Sequence, residues 1–232
     1  MSPVMECKNL TKKYGDKIAL NGINLEIPSG EIVGLLGPNG SGKTTMLKIA
    51  AGLLKPTSGK ISVCGLEPGA ESKMQIAYQP DRVYINSWLD VNGLVKMMSD
   101  FYTNFNKDKA HDMLCKLKVD PKQKLKKMSK GTKEKVQLVM TMSREVPFYI
   151  LDEPIGGVDP AARDFILNTI ISNYSENSTV LISTHLISDV ESVLNHIIFL
   201  KEGQIVRQGN ADDIRQETGM SIDSLFREEF KC

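Results

Sequence analysis

Apolar residues fall along this chain in two textures. Short continuous runs, Ile32-Val33-Gly34-Leu35-Leu36, Phe148-Tyr149-Ile150-Leu151 and Thr179-Val180-Leu181-Ile182-Ser183, read as buried strands. Between the last two lies a stretch around 160 to 173 with apolar positions at helical spacing, so strand, helix and strand follow one another as a crossover and imply a parallel sheet. Residues 4 to 10, 17 to 27 and 59 to 64 are β-leaning and are broken by Gly15-Asp16, Pro28-Ser29-Gly30 and Pro56-Thr57-Ser58-Gly59, which predicts a small antiparallel sheet. From about 86 to 145 helical spacing takes over, first in Leu89, Leu94, Val95 and Met98, then in Ala110, Met113, Leu114 and Leu117. Near the end, Ile197-Ile198-Phe199-Leu200 and Gln204-Ile205-Val206-Arg207 flank Glu202-Gly203 as a hairpin, and the remainder reads as helical up to Cys232.

The loop after the first of these strands carries chemistry. Gly37-Pro38-Asn39-Gly40-Ser41-Gly42-Lys43-Thr44-Thr45 fits the phosphate-cradling pattern G-x-x-x-x-G-K-[ST], and Met46-Leu47-Lys48-Ile49-Ala50-Ala51 continues it as a helix. The glycines let successive backbone N–H groups turn inward around an anion, and the opening helix adds the positive end of its dipole. Lys43 is expected to reach the β and γ phosphates, the Thr44 hydroxyl to ligate Mg²⁺, and Thr45 to support the phosphates nearer the ribose. Phe148-Tyr149-Ile150-Leu151-Asp152-Glu153-Pro154 delivers two acids to the C-terminal edge of a sheet, where ligands of open α/β sheets bind. Asp152 is expected to hold Mg²⁺ and Glu153 to polarise the water that attacks the γ-phosphate of the nucleotide.

The fold class expected is therefore α/β. A P-loop NTPase core of mainly parallel sheet carries a flanking antiparallel β subdomain and an inserted helical subdomain. The chain reads as a single ATPase domain over 1–232, with 1–85 and 146–232 as the core and about 86–145 as the insert.

Composition narrows the partners. The 232 residues carry a formal net charge of +1, which argues against a protein built to hold nucleic acid. No run approaches the length of a membrane helix, and the N-terminus lacks the basic flank and apolar core of a signal peptide. Cys7, Cys64, Cys115 and Cys232 are too scattered for a metal pair or an evident disulfide framework, which fits a reducing cytosol. Nine lysines between Lys116 and Lys135 read as a solvated face, with contacts to phosphate or a membrane surface as the alternative.

On these residues the chain resembles the nucleotide-binding subunits of ABC transporters over nearly its whole length. The resemblance implies roles for several further positions. Tyr14 stands where an aromatic ring stacks on adenine. Ser129 and Gly131, in Met128-Ser129-Lys130-Gly131-Thr132, stand in the signature that meets ATP bound to the opposite subunit. Asp159, in Gly156-Gly157-Val158-Asp159, belongs to the loop that crosses the dimer interface, and His185, in Ser183-Thr184-His185, is the switch histidine that contacts the γ-phosphate. His111 and His196 read as surface residues.

Two departures stand out. The signature has Lys130 and Thr132 where the family commonly has glycine and glutamine. In Ile76-Ala77-Tyr78-Gln79-Pro80-Asp81 the Tyr and Pro set a register that puts the γ-phosphate sensing position, near Mg²⁺, at Asp81, although Gln79 is the nearby glutamine.

The segments Asp100-Phe101-Tyr102-Thr103-Asn104-Phe105-Asn106 and Met220-Ser221-Ile222-Asp223-Ser224-Leu225-Phe226 are similar to a compact bacterial branch paired with ABC-2 type permeases and often linked to export. The resemblance implies a separately encoded integral membrane permease, a second ATPase subunit in a head-to-tail homodimer or heterodimer, and a cytoplasmic position on the inner face of the membrane. Residues about 79 to 105 are expected to line the docking groove, with Trp88 either an exposed anchor for the permease or packed inside the helical subdomain. The competing readings are a soluble ABC ATPase acting on DNA or ribosomes, and a catalytically dead regulatory subunit. The first lacks the long coiled-coil insertion or second ATPase half it calls for, and the second is at odds with Lys43, Asp152, Glu153 and His185 all being present.

Overall fold

All but Tyr149, Thr179 and Ser183 in the three strand runs above lack a polar side-chain atom, so these strands need cover on both faces, and a parallel sheet clad by helices supplies it. The computed structural model describes residues 2–85, 88–156, 160–174 and 177–231. Its strands in chain order are β1 (Met5–Tyr14), β2 (Lys17–Ile27), β3 (Ile32–Leu36), β4 (Ser58–Val63), β5 (Ile76–Gln79), β6 (Phe148–Asp152), β7 (Thr179–Thr184), β8 (His196–Lys201) and β9 (Gln204–Asn210). A six-stranded sheet has the order β5-β6-β7-β3-β8-β9, parallel from β5 to β8, with β9 antiparallel at the edge. A separate antiparallel sheet has the order β2-β1-β4.

The two faces of the large sheet enter different cores. On one face Val33, Leu35, Phe148 and Ile150 pack with helix α1 (Lys43–Ala50) and the inner side of the antiparallel sheet. On the other, Ile32, Leu36, Tyr149 and Leu151 pack with the helical insert and the C-terminal helices. Strand alternation produces this division, because neighbours in sequence point to opposite faces.

After a short helix, α2 (Ala70–Met74), the insert contributes α3 (Val91–Phe101), α4 (Lys107–Lys116) and α5 (Lys130–Met142). Each of the three long helices starts on a side chain that caps a backbone N–H: Asp90 for Gly93, Asn106 for Lys109 and Ser129 for Thr132. The buried stripes Val91, Leu94, Val95, Met98 and Ala110, Met113, Leu114 follow the spacing read from the sequence. Helix α6 (Pro160–Asn173) is the crossover between β6 and β7 and buries Ile166 and Ile170. Helices α7 (Ile187–Val190), α8 (Ala211–Thr218) and α9 (Ile222–Glu229) complete the chain, and Phe226 of α9 meets Phe199 of β8 edge-on at 5.4 Å. No described helix is long and apolar enough to cross a membrane.

One expectation is corrected, and one of the two alternatives for Trp88 is excluded. His196 is not a surface residue: it opens β8 inside the sheet, half-buried 3.7 Å from Glu31, and burial lowers its pKa. Trp88 is 71% exposed, so it is not packed inside the helical insert.

One buried cation fastens the insert to the sheet. Arg144, just past α5, donates to the carbonyls of Ile76, Lys73 and Met74 and to Asn104 Oδ1, while its guanidinium stacks 3.9 Å from the Tyr102 ring centroid. Burial lowers its pKa, and carbonyl oxygens take the place of a carboxylate partner. Arg144→Met keeps the packing volume and strands those acceptors. It is expected to cost about 3 kcal/mol, read as a lower urea midpoint with an unchanged slope.

Candidate nucleotide site

The phosphate-loop pattern folds as its residues dictate. Gly40 and Gly42 adopt φ +83° and +112°, in the region glycine enters freely. A Cβ on Gly42 would come within 2.5 Å of the Ala19 carbonyl oxygen, so the loop can close only with glycine there. The turn is pinned by Ser41 N donating to Pro38 O and by Met46 N donating to Gly42 O. Lys43 is buried, donates to the carbonyls of Gly37 (2.7 Å) and Pro38 (3.1 Å), and lies 3.5 Å from Glu153 Oε1. Burial lowers the Lys43 pKa, and Glu153 beside it opposes that shift. Thr45 lies half-buried one residue beyond Thr44 on α1.

Strand β6 delivers both acids, with different fates. Asp152 is fully buried, and its Oδ1 accepts from Ser183 Oγ at 2.7 Å and from Thr44 Oγ1 at 3.1 Å. Its Oδ2 is buried with no hydrogen-bond partner among the described residues. Burial raises the Asp152 pKa, and the two hydroxyl hydrogen bonds pull it back. Glu153 follows at φ +49°, a left-handed conformation that turns the chain out of the strand. Its amide donates to Ser183 O and Oγ, and its Oε2 lies 3.0 Å from His185 Nδ1.

Lys43, Thr44, Asp152, Glu153 and His185 are thus brought into one group at the C-terminal edge of β6 and β7. Asp81 lies close enough for its charge to raise the pKa of Asp152 and Tyr78. Gln79 is buried in β5 beside Leu151 and, by strand alternation, points to the face opposite Tyr78. Tyr14 is exposed at the end of β1, with Lys12 Nζ 5.3 Å from its ring centroid. Ser129 and Gly131 open α5, and among the described residues neither makes a hydrogen bond or ion pair with the Lys43 group. Lys130 is turned along its own helix to 3.7 Å from Glu134. Asp159 lies outside the described residues.

Three residues of the site escape sequence reasoning. Ser183 holds Asp152 because β6 and β7 pair in a register that sets the two opposite one another. Tyr78 shares the α1-side face with Asp152, and burial with those acidic neighbours pushes its phenol pKa up. Gln137 reaches from α5 to the loop after β5: its Oε1 accepts from Tyr84 N at 2.9 Å and its Nε2 donates to Arg82 O at 3.2 Å. Alternation could have found Tyr78. The other two depend on strand register and tertiary packing.

The family model described as ABC transporter matches residues 20–156. The Nod factor export ATP-binding protein I of Burkholderia lata is 31% identical over 235 residues, covering 96% of this chain and 76% of the relative. The lantibiotic transport ATP-binding protein SrtF of Streptococcus pyogenes is 30% identical over 211 residues, covering 90% of this chain and 92% of the relative. A solved structure described as the ATP binding subunit of an ABC transporter matches with a TM-score of 0.86 at 29% identity, covering 98% of this chain and all of that one. With its phosphate loop folded against the acidic end of β6, this chain belongs to the ABC transporter family, as an ATP-binding subunit that hydrolyses ATP.

Proposed function

We propose that the chain is the motor of an exporter, working head-to-tail with a second ATPase subunit beneath a separately encoded permease of the ABC-2 type. One observation carries the paired reading. Lys43, Glu153 and His185 meet within the chain, whereas Ser129 and Gly131 make no hydrogen bond or ion pair with that group among the described residues. A signature left unused by its own phosphate loop is available to the loop of another chain. The names of two relatives, one for Nod factor export and one for lantibiotic transport, favour transport over action on DNA or ribosomes, and the first favours export. Through the permease the chain sits on the inner face of the membrane, as one ATPase unit whose insert over about 86–145 carries the signature.

In this reading the backbone of Gly37, Pro38, Asn39, Gly40, Ser41 and Gly42 cradles the phosphates, Thr45 supports those nearer the ribose, and Tyr14 stacks on adenine. Lys43 leaves the Gly37 and Pro38 carbonyls for the β and γ phosphates. Glu153 takes the proton of the attacking water while Lys43 and His185 hold the γ-phosphate, and Asp159 crosses to the partner. The unpartnered, buried Oδ2 of Asp152 beside Thr44 suits a divalent cation, with Asp81 as the nearby second acid. Mg²⁺ bound there offsets the charge that builds on the phosphate oxygens.

Glu153→Gln is expected to lower turnover roughly 10²- to 10⁴-fold and to run as an ATP-dependent dimer on a sizing column; a monomer there contradicts pairing between copies. Asp81→Ala should reduce Mg²⁺-dependent turnover more than Gln79→Ala, and the reverse order overturns the assignment of Asp81. Ser183→Ala removes a hydrogen bond that favours the charged Asp152, so its pKa rises and the acid limb of the turnover profile moves to higher pH; an unmoved limb rules out Asp152 as its origin.

A further inference from the structure

Helix α5 starts at the signature and ends beneath a cavity of about 580 Å³ beside β5, and a polar face runs along it. Gln137 and Thr141 fall at i and i+4, the spacing that stacks side chains on one face of a helix, Arg144 follows just past the end of α5, and all three are buried. Arg144 grips the strand side, as described above. Thr141 lines the cavity with Arg144, Asp81, Arg82 and Tyr84. Gln137 grips the loop that carries Asp81, through Tyr84 N at 2.9 Å, Arg82 O at 3.2 Å and a longer approach to Pro80 O at 3.5 Å.

Few side chains can make that set of contacts. A primary amide presents an acceptor and two N–H donors at one end, so it can take an N–H and serve two carbonyls of the same turn. An apolar residue of equal length would fill the space and withdraw these partly buried hydrogen bonds from Tyr84 N and Arg82 O. Ser129 lies roughly 12 Å back along the same helix, across half-buried turns from Gly131 to Lys135, and the helix is anchored beyond them by Val136 to Met142, all buried.

We propose that Gln137 is a positioning residue for hydrolysis, fastening the Asp81 loop to the signature helix so that a shift of the loop carries Ser129 and Gly131 with it. This rests on the paired reading above, because the signature so moved serves the nucleotide of the opposite chain. The tie makes each chain's phosphate-facing loop and its contribution to the partner's site one mechanical unit.

The test is Gln137→Met in the full chain, which keeps length and burial and removes the hydrogen bonds. Three quantities are read: the Kd of a fluorescent ATP analogue, KM and kcat for ATP, and amide hydrogen exchange at Tyr84. The expected result is faster exchange at Tyr84, Kd and KM within about twofold of the unsubstituted chain, and kcat lower by about tenfold. Gln137→Glu, which keeps the acceptor for Tyr84 and loses the donors, should fall between, and it carries the same comparison if Q137M is too unstable to purify. Faster Tyr84 exchange at an unchanged kcat overturns the proposal. So does a loss of kcat matched by an equal weakening of Kd, the mark of general damage to the fold. Failure of the paired reading shows separately, in the chain that keeps Gln137, as a Glu153→Gln variant that does not dimerise with ATP.

Discussion

One carboxylate oxygen holds the site together. Oδ1 of Asp152 receives a hydrogen bond from Thr44 at the start of α1 and another from Ser183 on β7, so three elements meet at one atom. A buried carboxylate is costly to desolvate, and two hydroxyl donors on one oxygen are what keep it inside. While Oδ1 is satisfied by protein, Oδ2 is buried with nothing to accept from among the described residues. The phosphate loop is registered against the acidic strand through the same oxygen that fixes β7, and the Glu153–His185 contact follows, since Glu153 comes directly after β6 and His185 directly after β7.

The helical insert is held by two kinds of interaction with different physical roles. Apolar burial along α3, α4 and α5 supplies cohesion, at about 1.5–3 kcal/mol for each large side chain taken fully from water. That force is without direction, and it would tolerate sliding of the insert over the sheet. Arg144 and Gln137 remove the freedom, because Arg144 matches backbone carbonyls at fixed positions on α2 and β5, and Gln137 matches backbone groups of the loop after β5.

The sequence made the local elements legible and left the long-range ones hidden. The phosphate loop, the β6-α6-β7 crossover, the β8-β9 hairpin and the helical stripes at Leu94, Val95, Met98 and Ala110, Met113, Leu114 follow from periodicity and turn residues, which act within a few positions. The placement of β3 between β7 and β8 does not, since no short pattern encodes which strands become neighbours. His196 looked like a surface residue because a lone polar side chain at a strand start gives no sign of its depth. Ser183, Gln137 and Arg144 carry polar work visible only once strand register and helix packing are fixed. The choice between Gln79 and Asp81 shows the same limit from the other side. The Tyr-Pro register points to Asp81 with Gln79 as the alternative, and strand alternation turns Gln79 away from Asp152.

A phosphate loop and a signature on one chain that act in different sites form the centre of this account. The most direct test mixes two inactive chains, Lys43→Ala with its signature intact and Gly131→Asp with its phosphate loop intact. In a mixed pair the intact loop of one chain faces the intact signature of the other, so one whole site is rebuilt. The account predicts that ATP turnover appears on mixing and rises with the fraction of mixed pairs. A mixture as inactive as its components would contradict it.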